Sequence, residues 1–275
     1  MIKYLIKVKD VKEALLKKRE YPEYAFYAGG TEINRLNSNL KYEGAISLEG
    51  LGLDKIEVTK EGVKIGACVT LQSLIESDDI PEYLKEAAQF CASRTLRNSA
   101  TIGGNLAFGS DDSYLMPTLL AAKARLMTSG LTSDGVFTED NLPIREYHSN
   151  HDSFSSTLLV GVVLPKEERV VLSKRFAKTS HAHSAVCVAF GAKVSNKKLS
   201  EVRIFAAIKS TGVVRFSDVE NAIENDAFSS SADVEFAIAN AVKAKDDLTA
   251  SASYKRYITS VAVAQMFDMT KGGAK

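Results

Sequence analysis

The chain has 275 residues, 35 basic and 34 acidic side chains, and a 45% hydrophobic composition, enough to bury a sizeable core in two or three lobes. Balanced charge gives no compositional reason to expect nucleic acid or an anionic membrane surface as a partner. Cys68, Cys91 and Cys187 are scattered, odd in number and without a CxxC pair, which argues against a disulfide framework or a cysteine-held metal cluster and fits a reducing cytoplasm.

The first residues read as lacking a secretion signal, and no apolar run nears the roughly 18 residues needed to span a bilayer. "YLIKVKDVKEALLKK" predicts a short strand and then a helix. Asp10 is its N-cap, Glu13 follows three residues on, and Val11, Ala14 and Leu15 share a face. "AFYAGG" predicts a second strand ending at a glycine pair. Beyond it, Ile33, Leu36 and Leu40 have helical spacing, so Thr31 and Glu32 fall near a helix N-terminus. "GAISLEGL" returns to extended structure, giving β-α-β-α-β over the first lobe.

"DKIEVTKEGVKIGAC" is a hairpin by its alternation and turn residues. Pro81 suits the first turn of a helix burying Leu84, Ala88 and Cys91. Pro117 to Ala122 predicts another helix, and "ARLMTS" a strand. The polar segment from Thr128 to Phe154 reads as a long surface excursion. "TLLVGVVLP" is a buried strand closed by Pro165, and antiparallel strands follow with a turn at Asn196 and Lys197. The chain ends in helices, the last with an expected apolar stripe of Tyr254, Tyr257, Ile258, Val261 and Ala264.

Two glycine pairs carry the functional signal: "YAGGTEIN" at Tyr27–Asn34 and "SATIGGNLAFG" at Ser99–Gly109. Adjacent glycines let successive N–H groups converge on an anion, with phosphate the usual guest. Two such loops on one chain could hold the two halves of a pyrophosphate, whereas either alone is an ordinary tight turn. G-x-G-x-x-G and G-x-x-x-x-G-K-[ST] are both absent, so neither common nucleotide fingerprint applies.

The pairing of "AGGTEI" with "RNSATIGGN" about seventy residues on, followed by Pro117 and "LLAAKA", resembles the FAD-binding subunit of the molybdenum hydroxylases. These are the xanthine dehydrogenase and carbon monoxide dehydrogenase flavoproteins, and "ASASYKRYITSVAVAQMF" is similar to the family's last helix. The resemblance implies an α+β fold. A two-lobed FAD-binding domain of the vanillyl-alcohol oxidase type would span 1–165, with lobes of about 1–52 and 53–165, and a C-terminal domain of antiparallel sheet plus helices would span 166–275.

It also implies a relay, in which electrons arrive from a molybdopterin-binding large subunit through 2Fe-2S clusters on a small subunit, reach FAD here and leave to an acceptor such as NAD. This chain would not act on the organic substrate alone. Residue by residue, the diphosphate would be pinched by Ala28, Gly29, Gly30 and Thr31 on one side, with Tyr27 and Ile33 also in the cofactor site. Thr101, Ile102, Gly103, Gly104 and Asn105 would close on it from the other. Glu32 matches an acidic position near the flavin and reads equally as a helix-start carboxylate. Leu159 matches a residue lining the flavin, against its default as core, and Lys178 a cation near the isoalloxazine, against an ordinary exposed lysine.

Two departures stand out: Tyr114 occupies a position where the family carries aspartate, with Asp111 and Asp112 slightly earlier, and Thr157 replaces an acidic residue. They keep open a non-catalytic relic of the fold that has lost FAD, beside a self-contained flavin oxidase or reductase. The histidines 148, 151, 181 and 183 read as solvated loop residues without a completing metal-ligand pattern, and no catalytic triad can be assembled from spacing. Arg94 and Arg97 read either as phosphate partners or as exposed helical arginines.

Overall fold

A computed structural model of the chain describes residues 2–35, 40–149, 156–196 and 198–272. In chain order the elements are β1 (Tyr4–Lys7), α1 (Val11–Glu20), β2 (Ala25–Tyr27), β3 (Gly44–Ser47), β4 (Ile56–Val58), β5 (Gly62–Gly66), α2 (Leu71–Glu76), α3 (Glu82–Gln89), α4 (Arg94–Arg97), α5 (Ile102–Phe108) and α6 (Met116–Ala121). They continue as β6 (Arg125–Leu131), β7 (Phe137–Pro143), α7 (Ile144–Ser149), β8 (Leu158–Pro165), β9 (Val170–Ala177), β10 (Ser184–Ser195), β11 (Lys198–Ile208), β12 (Gly212–Arg215), α8 (Ser217–Glu224), α9 (Ser231–Ala241) and α10 (Ala252–Lys271). The chain divides into one compact unit of Met1–Ile80, Ser93–Gly109 and Lys123–Lys166, and a second of Pro81–Ala92, Ser110–Ala122 and Glu167–Lys275.

The first unit holds a three-stranded parallel sheet, β1-β3-β2, and a five-stranded antiparallel sheet, β4-β5-β8-β6-β7. α1 starts where its cap predicts: Asp10 accepts from the Glu13 N–H at 2.8 Å, and the Glu13 carboxylate accepts from the Lys9 N–H at 2.7 Å. Ala14 and Leu15 are buried against Ile46 and Leu48. Beyond β2, the expected helix from Ile33 is instead a turn over Thr31–Asn34, closed by the Asn34 N–H donating to the Gly30 carbonyl at 2.9 Å. Leu36 lies outside the described residues.

The surface excursion expected from Thr128 to Phe154 is a second difference. β6 runs on to Leu131 and pairs in register with β7, from Arg125↔Pro143 to Leu131↔Phe137, and α7 follows. β7 ends the sheet, so its outward side chains remain in water and "FTEDNLP" needs no apolar alternation. Phe154 itself lies outside the described residues.

The second unit is built on an antiparallel sheet, β12-β11-β10-β9, in which β10 is almost continuously buried. Val186, Val188, Phe190, Ile204 and Ala206 pack with Val234, Ile258, Val263 and Phe267 from the C-terminal helices. Asn196, at φ 50°, begins the β10–β11 turn; Lys197 lies outside the described residues.

α10 buries Ile258 and Ala264 of the expected stripe, but Tyr254 and Tyr257 are exposed, and the inward face turns to Lys255, Thr259, Ala262, Val263, Met266, Phe267 and Thr270. The stripe turns because Lys255 is a core residue. Its ammonium donates to the Lys209 and Lys245 carbonyls, each at 2.9 Å, and to the Asp247 carboxylate, so all its hydrogens have acceptors.

Burial raises the Asp247 carboxyl, but hydrogen bonds from Lys255, Thr249 and Ser210 outweigh it and hold the group well below the usual carboxylate range. A depressed folded value means stabilisation that is complete above the ordinary carboxyl pKa, about 4, and is lost as pH falls through the folded value. The urea midpoint of the second unit should therefore drop between pH 7 and pH 3, and Asp247→Asn should flatten that dependence. An equally steep dependence in the variant would remove Asp247 from the explanation.

Candidate cofactor-binding site

Both glycine loops belong to the first unit. The first leaves the end of β2, where the Leu48 N–H donates to the Tyr27 carbonyl at 2.9 Å and holds the strand against β3. A Cβ on Gly29 would overlap the carbonyl group of Ser99, so the loop can lie against the second only without a side chain there. Gly30 has φ 65° and sits under the Tyr27 ring, whose hydroxyl accepts from Asn34 Nδ2 at 2.7 Å. Among the described residues, no hydrogen bond within the protein takes up the N–H groups of Gly29, Gly30, Thr31, Glu32 and Ile33. Five successive donors without a described partner in a half-buried loop are groups that an anion could pair with.

The second loop is built differently. Thr101 caps α5 through a hydrogen bond from the Gly104 N–H to its Oγ1 at 3.0 Å. The Ile102 N–H donates to the Val69 carbonyl at 3.0 Å, the Gly103 N–H to Ala67 at 2.9 Å and the Asn105 N–H to Thr101 at 3.0 Å. A Cβ on Gly103 would stand 2.6 Å from the Ala67 Cβ and 2.7 Å from its oxygen. This loop therefore offers shape rather than free donors: Gly103 lets α5 pack closely on Ala67, while Gly104 leaves a bare exposed surface.

A family model described as the FAD binding domain in molybdopterin dehydrogenase matches residues 1–167. The chain belongs to this family. The model of the CO dehydrogenase flavoprotein C-terminal domain matches residues 172–270. YgfM of Escherichia coli (strain K12) is 31% identical over 269 residues, 97% of this chain and 96% of YgfM. PaoB, an aldehyde oxidoreductase FAD-binding subunit of the same organism, is 38% identical over 125 residues, 43% of this chain and 39% of PaoB. A solved carbon monoxide dehydrogenase chain from Hydrogenophaga pseudoflava shares the fold, with a TM-score of 0.83 over 96% of each chain at 20% identity. FAD is the cofactor of this molybdopterin dehydrogenase flavoprotein, an oxidoreductase subunit.

Within the flavoprotein's first unit, Glu32 lies on the turn of the glycine loop, with Arg35 Nη1 3.5 Å from its carboxylate. Leu159 is buried on β8 opposite Thr128, next to a bulge at Val160 whose carbonyl accepts from the Ala67 N–H at 2.9 Å. Arg94 pairs with Glu76 at 3.0 Å, and Arg97 Nε donates to Gln72 Oε1 at 2.9 Å, so both hold α4 to α2.

Tyr114 and Lys178 belong to the second unit. Tyr114 is half-buried just before α6. Lys178 is exposed beyond β9 and donates to the Leu248 carbonyl at 2.9 Å.

Sequence spacing missed the partner of His183, whose Nδ1 lies 2.8 Å from Asp112 Oδ2. Lys209 completes the cluster, 2.5 Å from Asp111 and 3.4 Å from Asp112. Burial raises the Asp112 carboxyl, and hydrogen bonds from Ser110 and His183 with the Lys209 charge outweigh it and keep the group below its ordinary range. No local signal could have found this pair, since its members lie 71 positions apart. Burial pushes the Cys68 thiol up to about 11 and the Cys187 thiol up to about 12, so neither is a thiolate at neutral pH. Among the described residues there is no cluster of candidate metal ligands and no helix long and apolar enough to cross a membrane.

Proposed function

We propose that this chain is the electron-transfer subunit of a cytoplasmic molybdenum hydroxylase complex, holding FAD between a reducing partner and a soluble acceptor such as NAD. The observation that carries the reading is the run of open N–H donors from Gly29 to Ile33, clamped beside Ser99. A diphosphate is the group such a run suits, and the family's cofactor contains one. Ala28, Gly29, Gly30 and Thr31 would bind it, with Tyr27 and Ile33 shaping the loop. Thr101, Ile102, Gly103, Gly104 and Asn105 would form the opposing wall, and Leu159 and Glu32 would line the flavin end. From the family resemblance, Tyr114 and Lys178 are assigned to the isoalloxazine, where the lysine charge would favour an anionic reduced ring.

The domain limits proposed are 1–165 for FAD binding, with lobes of about 1–52 and 53–165, and 166–275 for the C-terminal domain. Bound FAD supplies two-electron and one-electron redox chemistry, and the chain's own residues orient it and tune its charge environment. Electrons would come from a molybdopterin-binding large subunit through 2Fe-2S clusters on a small one, because three scattered cysteines cannot hold such clusters here.

The purified chain should show flavin absorption bands with about one FAD per polypeptide and should hydroxylate neither purines nor aldehydes. Co-expression with a molybdopterin-binding chain and a ferredoxin-like chain should yield a stable complex that reduces the flavin on substrate addition. A chain that takes up no FAD would favour the relic of the fold. Hydroxylation by the chain alone would overturn the assignment of the substrate site to a partner.

A further inference from the structure

We infer that Asn34 is a positioning residue for the cofactor loop, holding its backbone donors in place before FAD arrives; this rests on the reading that the loop takes the diphosphate. Asn34 closes the loop twice. Its backbone N–H donates to the Gly30 carbonyl at 2.9 Å, and its side-chain Nδ2 donates to the Tyr27 hydroxyl at 2.7 Å, seven positions back along the chain. Enclosed by that second tie are Gly29 to Ile33, the residues whose N–H groups find no acceptor among the described residues.

Tyr27 is a fixed post for this tie. Its carbonyl accepts from the Leu48 N–H at 2.9 Å, and its ring stands against Gly30, where a Cβ would lie 2.3 Å from the hydroxyl oxygen. Gly30 has φ 65°, and glycine loses more backbone freedom on ordering than any other residue. Untied, a loop with two adjacent glycines presents its donors for only a fraction of the time, and apparent affinity falls by that fraction. The Arg35–Glu32 pair, 3.5 Å apart with both side chains exposed, adds little order. The Asn34 amide instead anchors the far end of the loop to the residue that begins it, so the fold and not the ligand does the ordering.

The test is a cycle of Asn34→Ala, Tyr27→Phe and the double variant in the full-length chain, with FAD association and dissociation followed by flavin emission and ADP competing for the site. Both single variants remove the same hydrogen bond, and Tyr27→Phe keeps the ring against Gly30. Each should bind FAD about fivefold more weakly, the size of one ordinary hydrogen bond, and the double variant no more weakly than either. The loss should lie in the association rate with dissociation unchanged, because the ligand's own contacts are untouched. ADP, which shares the diphosphate, should lose affinity by the same factor. Thermal unfolding of the FAD-free variants should match the wild type, since the bond is exposed.

Unchanged FAD affinity in Asn34→Ala, with Gly29→Ala still weakened, would overturn the inference and leave the diphosphate site standing. Faster dissociation at an unchanged association rate would make Asn34 a direct ligand contact and overturn it equally, as would a double variant whose losses multiply. Failure of the wild-type chain to bind FAD would overturn the site and the inference together.

Discussion

Gly29→Ala is expected to weaken FAD binding about a hundredfold, the largest effect of any single methyl group in the first unit. The added Cβ would overlap the carbonyl group of Ser99, and a backbone carbonyl cannot swing aside as a long side chain can. Overpacking of this kind typically costs about 1–3 kcal/mol, and here the strain is relieved only by moving the loop that presents the open donors. A hundredfold change corresponds to about 2.7 kcal/mol. Gly130→Ala is the control: its Cβ would meet nothing closer than 3.4 Å, so affinity should hold. Wild-type affinity in Gly29→Ala would show that the close approach of the loops has no part in holding the cofactor.

Asp247→Ala should destabilise the second unit by about 3–5 kcal/mol, measured by urea unfolding at neutral pH, because it strands a buried cation. The Lys255 side chain is 0% exposed and that of Asp247 16%. Removing the carboxylate leaves the ammonium only the Lys209 and Lys245 carbonyls. Lys255→Met should cost less, since the long apolar side chain fills the same space. Asp247 keeps hydrogen bonds from the Thr249 N–H at 2.8 Å and the Ser210 hydroxyl at 2.8 Å, with partial access to water. A loss below about 1 kcal/mol in Asp247→Ala would mean that water reaches Lys255 and that the pair is a surface contact.

What could be read from the sequence was local or repetitive. Asp10 and Glu13 announce α1, Pro81 and the spacing of Leu84 and Ala88 announce α3, and the run "TLLVGVVLP" announces β8, because caps and periodicity act within a few residues. The paired glycine motifs, with the resemblance they carry, pointed to an FAD-binding subunit of the molybdenum hydroxylase type, and the family match bears this out. Elements fixed by distant partners were not legible. β7 looks polar because it is an edge strand, and α10 faces the core with Lys255 because Asp247 and two carbonyls await it. The difference between the two loops is of the same kind. Only the tertiary structure reveals that Ala67 and Val69 take up the N–H groups of Gly103 and Ile102, while among the described residues nothing takes up those from Gly29 to Ile33.

The most direct measurement is a crystal structure of the full-length chain with bound FAD. The diphosphate oxygens should lie within about 3 Å of backbone nitrogens between Gly29 and Ile33, a normal hydrogen-bond length, with Gly104 facing the same group. A diphosphate bound elsewhere, with those N–H groups turned to solvent, would contradict the account.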